Sequence, residues 1–290
     1  LGPGAVEPLE RMTGHSLGGW AVALFFFLSG LLVTASAERR SGRAFWAARA
    51  RRIVPGLGMA LIVTLALAFA SGATAGAGDA VAWFVRALTL ISIEHHLPGA
   101  FAANPLPEVM NGPLWSLFHE VAAYGICWLF VACGGTRHRV AILALVIAAA
   151  LAALAADTLP GRAATFAPLF AAFVLGMGAH VFGEALPLRA VAGVVLLPLA
   201  AFAPWPVAVA IVAYASLAVA LRAPDLRLGG DYSFGLYIYG WPVAQTLVHA
   251  FPGIAPEALA GLSLAAALPF AMASWHLVEH PSLARRRAVA

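Results

Sequence analysis

Long apolar runs, broken at short intervals by arginine, proline and glycine, set the pattern of this chain of 290 residues. Roughly 20 apolar residues in an α-helix cross about 30 Å of hydrocarbon, and a closed helix satisfies its own backbone there. Nine segments approach or exceed that length: about 17–36, 53–71, 113–133, 140–157, 163–182, 190–203, 206–221, 231–250 and 257–279. None shows the two-residue alternation of a membrane β-barrel. The stretch from Ala80 to Ile93 is apolar but short, and Arg86, Thr89 and Ser92 recur on it at every third residue. That spacing predicts an interfacial or re-entrant helix, with a tenth span as the alternative. The expectation is an all-α, polytopic transmembrane bundle forming one domain over residues 1–290.

Composition changes this picture little. With 62% hydrophobic and 10% charged residues, and a mean hydropathy of +0.89, the chain lacks the polar surface to cover a water-soluble globule. Charge adds orientation. Every one of the 17 basic residues is Arg. Threading nine spans with residues 1–16 outside puts Arg39, Arg40, Arg43, Arg49, Arg51, Arg52, Arg137, Arg139, Arg189, Arg222, Arg227, Arg285, Arg286 and Arg287 on one side. Only Arg11, Arg86 and Arg162 fall on the other. Cytoplasmic loops carry such an excess, so the carboxyl end is expected in the cytoplasm and the protein in the inner (plasma) membrane. The pI near 9.6 then reflects topology and needs no nucleic-acid partner. The chain begins at Leu1 with a polar stretch and no signal peptide, which leads to the expectation of a further helix upstream, ten spans in all.

Candidate chemistry begins with Glu120, about seven residues inside the run after Pro113. A carboxylate there costs a few kcal/mol, so an intramembrane acid is a functional candidate by default. Its neighbour His119 points about 100° away around the helix and cannot easily share one reacting atom with it. His180 and His276 lie nearer span interiors than the other histidines. Cys127 and Cys133 sit near the inner end of one span, and neither a disulfide nor a metal site is expected. The segment Ser71 to Gly112 reads first as a solvated loop and second as a cap over substrate. Gly14-His15-Ser16-Leu17-Gly18 matches a nucleophile elbow, but no buried strand precedes it, so Ser16 reads as a helix cap.

Five strings in order resemble one family. Val22-Ala23-Leu24-Phe25-Phe26-Phe27-Leu28-Ser29-Gly30 is similar to the V-D-L-F-F-V-L-S-G element of the membrane acyltransferase 3 family. Phe45 to Arg49, with Arg52, Ile53 and Pro55, resembles its F…R-x-x-R-I-x-P loop. Trp115-Ser116-Leu117 with Glu120 and Tyr124 resembles W-S-L-x-x-E-x-x-x-Y. Gly230 to Pro242 is similar to G-x-x-S-Y-x-x-Y-L-x-H-x-P, and Ser274-Trp275 with Glu279 and Pro281 to S-W-x-x-x-E-x-P. Members O-acylate surface glycans, antibiotics and related acceptors. The resemblance implies a cytosolic acyl-CoA co-substrate, no bound cofactor, and a glycan or other hydroxyl acceptor on the outer side. It also implies a first-span Arg and His, the His serving as base, that would lie upstream of Leu1. Two positions depart from the pattern: Gly240 stands where the family has His, and Ala23 where it has Asp.

On this reading Glu120 is the catalytic candidate in the chain. Arg49 and Arg52 are donor-binding candidates, because their forks suit phosphate. Ser29, Trp115, Ser116, Tyr124, Tyr237 and Glu279 are substrate-pocket candidates, Glu279 reading more as a partner for the Arg cluster than as a reacting group. A polytopic transporter, or an acyltransferase-like protein without activity, is the alternative.

Overall fold

The computed structural model describes residues 7–90, 96–185, 187–224 and 229–284. Twelve α-helices occupy the described residues, which contain no strand. They are α1 Pro8–Thr13, α2 Leu17–Arg39, α3 Gly42–Ala70, α4 Ala77–Thr89, α5 Trp115–Ala132, α6 Arg139–Leu154, α7 Arg162–Phe182, α8 Ala190–Leu196, α9 Trp205–Ala220, α10 Ser233–Ala250, α11 Pro256–Ser274 and α12 His280–Ala284. A π-helical turn, Trp275–Glu279, joins the last two. Each of the nine apolar segments contains helix. Ser16 caps α2, its hydroxyl accepting the Gly19 N–H at 3.1 Å.

Five helical stretches are long and apolar enough to cross a bilayer: Leu17–Arg39, Gly42–Ala70, Gly112–Ala132, Arg162–Ala185 and Pro256–Ala284. The stretches Arg139–Leu154, Ala190–Ala201 and Trp205–Ala220 are apolar but shorter. In the second of these, the helix tightens into a 3₁₀ turn at Leu197–Ala201, which has Pro in its first turn and so lacks one N–H. The predicted interfacial segment is α4, whose 13 residues rise about 20 Å. It buries Ala80, Trp83 and Ala87 on one face and leaves Val81, Val85 and Arg86 exposed. Ser92 and Ile93 lie outside the described residues.

The described residues fall into two compact units. The second unit comprises the described parts of Val6–Phe45 and His119–Leu226. There α7 packs against α2, α6 and α9. Small residues allow this: a Cβ added to Gly30 would stand 1.9 Å from the Phe173 carbonyl oxygen, and one added to Gly176 2.0 Å from that of Phe27. Thr34, one turn past Gly30, donates to the Gly30 carbonyl at 2.7 Å and lies 3.5 Å from the Cys127 sulfur. Both cysteines are free thiols.

The first unit comprises the described parts of Trp46–Phe118 and Arg227–Ala290. Its α10 and α11 meet where Gly235 faces the Ala271 backbone; an added Cβ would come within 2.7 Å of it. Residues 96–112 correct the solvated-loop expectation. Leu97, Ala100, Phe101 and Met110 are almost wholly buried, and buried polar side chains bind the loop to α10. Asn104 Nδ2 donates to the carbonyl and side-chain oxygens of Gln245 at 2.8 and 2.9 Å. Gln245 Nε2 donates to the carbonyls of Leu106 and Val109 at 2.9 and 3.0 Å. Trp241 Nε1 reaches Val109 O at 3.2 Å, and Asn111 Nδ2 reaches Ile238 O at 2.8 Å. Residues 238, 241 and 245 lie along one side of α10, so the loop runs antiparallel to it. Gln245→Leu strips the donor from Leu106 O and is expected to cost about 1–3 kcal/mol. The measurement is a lower melting temperature in detergent with faster proteolysis inside 96–112; an unchanged melt would show the loop held by its apolar side chains alone.

Candidate functional site

Three of the five sequence strings converge in the first unit on Arg52. Its Nη2 donates to Asp231 Oδ2 at 2.7 Å, and its Nη1 to Glu279 Oε2 at 3.4 Å. The rings of Phe234 and Trp275 each lie 5.7 Å from the guanidinium carbon, a distance at which the ring face attracts a cation. Glu279 is 1% exposed and is held by the Ser274 hydroxyl, which donates to Oε1 at 2.9 Å. The π-helical turn between Ser274 and His280 carries both Trp275 and Glu279, and such bulges redirect side chains at functional positions. Two glycines make room. A Cβ at Gly56 would lie 2.9 Å from Phe234 and 3.1 Å from Glu279, and one at Gly230 would lie 2.3 Å from Trp275 Nε1.

Residue spacing along α10 links this cluster to a second pair. Tyr237, three residues past Phe234 and thus about 4.5 Å along the helix, meets Ser116 at 2.6 Å between hydroxyl oxygens. Tyr237 donates its single proton to Pro113 O at 2.6 Å, so the Ser116 hydroxyl donates to Tyr237 and keeps its lone pairs for another donor. Ser116 is 1% exposed. Trp115 beside it is exposed on one side. Arg49 stands one turn before Arg52 on α3 and is half-buried.

The second unit holds the other candidates. Glu120 is 3% exposed, and the Tyr124 hydroxyl one turn on donates to its Oε1. The Tyr124 ring lies 6.2 Å from Phe173, itself stacked in series with Phe170 and Phe166. His119 is also buried, but its Nε2 turns to the Thr165 hydroxyl at 3.1 Å and its ring stacks on Phe166. Thr165 donates to Arg162 O at 3.1 Å, so a neutral His119 donates from Nε2. Ser29 is buried on α2. The structure thus joins Arg52 with Glu279, Ser116 with Tyr237, and Glu120 with Tyr124.

Three further histidines among the described residues have ordinary partners. His180 pairs with Glu38 at 2.8 Å, and His276 meets the Tyr232 hydroxyl at 3.1 Å. His15, outside the spans, packs against Trp205, the rings tilted by 45° with centroids 3.9 Å apart. That burial lowers its pKa, opposed by the Glu10 charge. Among the described residues no cluster of His, Cys, Asp or Glu is arranged to hold a metal ion. Glu94 and His95 lie outside the described residues.

An acyltransferase domain model matches residues 2–276. The chain belongs to this acyltransferase family. It is also 29% identical over 294 residues to an O-acetyl transferase of Shigella phage Sf6, a match covering 93% of this chain and 86% of that relative. No solved structure matches. The protein is therefore a membrane-embedded transferase of non-amino-acyl groups.

Sequence reasoning missed several residues of this acyltransferase's Arg52 cluster. Asp231 and Phe234 sit within the Gly230–Pro242 string and Ser274 and Trp275 within the last, but no spacing rule couples them to an arginine about 180 to 220 residues earlier. The only signal was shared membership of the five strings. Gly240, in place of the family His, opens on empty space: an added Cβ meets nothing within 4 Å.

Proposed function

We propose that the enzyme moves an acyl group, acetyl or similar, from cytosolic acyl-CoA to a hydroxyl of a glycan or related acceptor facing the outer side. The match to the acyltransferase family across nearly the whole chain carries this reading, and the phage relative's name supplies its O-acetyl form. The acceptor oxygen attacks the thioester carbonyl; the C–O bond forms, the C–S bond breaks, and the hydroxyl gives up its proton while the departing thiolate takes one up to leave as the thiol. Such a reaction needs proton-handling groups in a site closed to bulk water. Glu120, buried and bonded by Tyr124, is the residue of this chain suited to accepting or orienting that proton.

Arg49 and Arg52 serve the donor, whose phosphates a guanidinium fork can bind bidentately. Nine crossings, with the amino end outside and the carboxyl end cytoplasmic in the inner membrane, place both at the cytoplasmic mouth. The asymmetry of the Arg residues supports that threading.

The test uses membranes containing the protein and acetyl-CoA labelled in the acyl group. Label should enter the carbohydrate fraction and be released by mild alkali, as an ester is. Thiol release no faster than in empty membranes, with no labelled acceptor, would overturn the reading. Arg52→Lys keeps a charge beside Glu279 but loses the fork, and should raise the KM for acetyl-CoA about tenfold.

A further inference from the structure

We infer that Asp231 sets the affinity for the phosphate-bearing donor by occupying the outer side of Arg52, from which a donor phosphate displaces it. The inference rests on Arg52 being a donor-binding residue.

The two carboxylates on Arg52 are unequal. Glu279 is sealed in, 1% exposed, and tied to Ser274 at 2.9 Å. Removing it would take away the sealed partner of Arg52 and leave the guanidinium with Asp231 alone. Asp231 is 51% exposed, and an exposed ion pair of this kind shifts an equilibrium by only a few-fold. The guanidinium itself is steadied from other directions, by Glu279 and by the Phe234 and Trp275 rings. It therefore stays in place when Asp231 leaves.

What Asp231 vacates suits a phosphate oxygen. Arg52 Nη2, 2.7 Å from Asp231 Oδ2, regains a free N–H. The Ser233 hydroxyl and N–H, which now donate to Oδ1 at 2.6 and 3.3 Å, belong to the same carboxylate's set of donors. An arginine fork and a hydroxyl that together hold a carboxylate can hold one face of a phosphate by the same charge-assisted hydrogen bonds. Glu279 and Asp231 together outweigh the single charge of Arg52, so Asp231 weakens the pull on an incoming anion by neutralisation and by direct repulsion. Asp231 thereby tunes the site toward a donor that brings several phosphates and against single small anions.

The experiment measures the KM for acetyl-CoA and the Kd for coenzyme A on the full chain in detergent micelles. Asp231→Asn keeps the Oδ1 acceptor for Ser233 while removing the charge. It is expected to lower both constants about three- to tenfold, and Asp231→Ser is expected to do the same should the first variant accumulate poorly. Ser233→Ala, which takes that hydroxyl donor from the incoming phosphate, should raise both constants a few-fold. In an Arg52→Lys background the gain from Asp231→Asn should shrink. Unchanged or higher KM in both Asp231 variants, with Arg52→Lys still impaired, would overturn the role of Asp231 and leave Arg52 as a donor ligand. Unchanged KM in Arg52→Lys would instead remove the donor reading on which the inference stands.

Discussion

Glu120→Gln is expected to lower acyl transfer by about 10²- to 10⁴-fold, the range for a positioned acid–base group, while the protein accumulates in the membrane at its normal level. Glutamine keeps an oxygen for the Tyr124 hydroxyl, so the helical turn that presents the side chain survives; only the ability to take or balance a proton is lost. Tyr124→Phe provides the complement, leaving the carboxylate without that donor. Its turnover should fall less than that of Glu120→Gln. Transfer of label from acetyl-CoA, normalised to protein recovered in folded form, measures both. Wild-type turnover in Glu120→Gln would make the residue a structural acid between helices and send the search for the proton path to His119 and Thr165.

The second large effect is on stability. Gly176→Ala, or Gly30→Ala, should cost about 3–5 kcal/mol, toward the severe end of single substitutions. The backbones of α2 and α7 approach one another at these two residues, and the obstructing atoms are main-chain carbonyls that cannot turn aside as a side chain would. Close approach through small residues is how helices gain packing where lipid provides no hydrophobic drive. Thermal unfolding in detergent should show a drop of about 10 °C. Gly240→Ala is the internal control: its added Cβ meets nothing within 4 Å, and loss of a helix-interior glycine should leave stability equal or higher by up to about 1 kcal/mol. Equal melting temperatures for Gly176→Ala and Gly240→Ala would mean that α2 and α7 do not pack through these glycines.

Some motif residues are explained by packing. Gly30 closes the first string because α7 leaves no room there for a side chain, and Gly230 opens the fourth because the Trp275 indole lies against it. Both read at first as family signatures. Their physical work is to let elements distant in sequence touch. Glu279 belongs to the same logic: Ser274, at the start of its string, supplies one hydrogen bond and Arg52 the charge.

Helix type and solvent were legible from one dimension, because bilayer thickness and backbone hydrogen bonding leave few options for long apolar runs. That α4 is helical was legible too, from the polar positions that recur at every third residue. The loop at 96–112 was not. Its composition is that of a solvated connection, and its burial depends on Gln245 and Asn104 finding each other across about 140 residues. Likewise, Arg52 was recognisable as a charge at a helix entry and Glu279 as a partner for the Arg cluster, whereas the pairing of Arg52 with Asp231 was invisible. By itself the sequence determined that this is a helical membrane protein with a buried acid, an arginine-rich side and the strings of an acyltransferase. The tertiary structure alone decided which charges neutralise one another and which hydroxyls share protons, because those depend on distances between helices that no periodicity along the chain encodes.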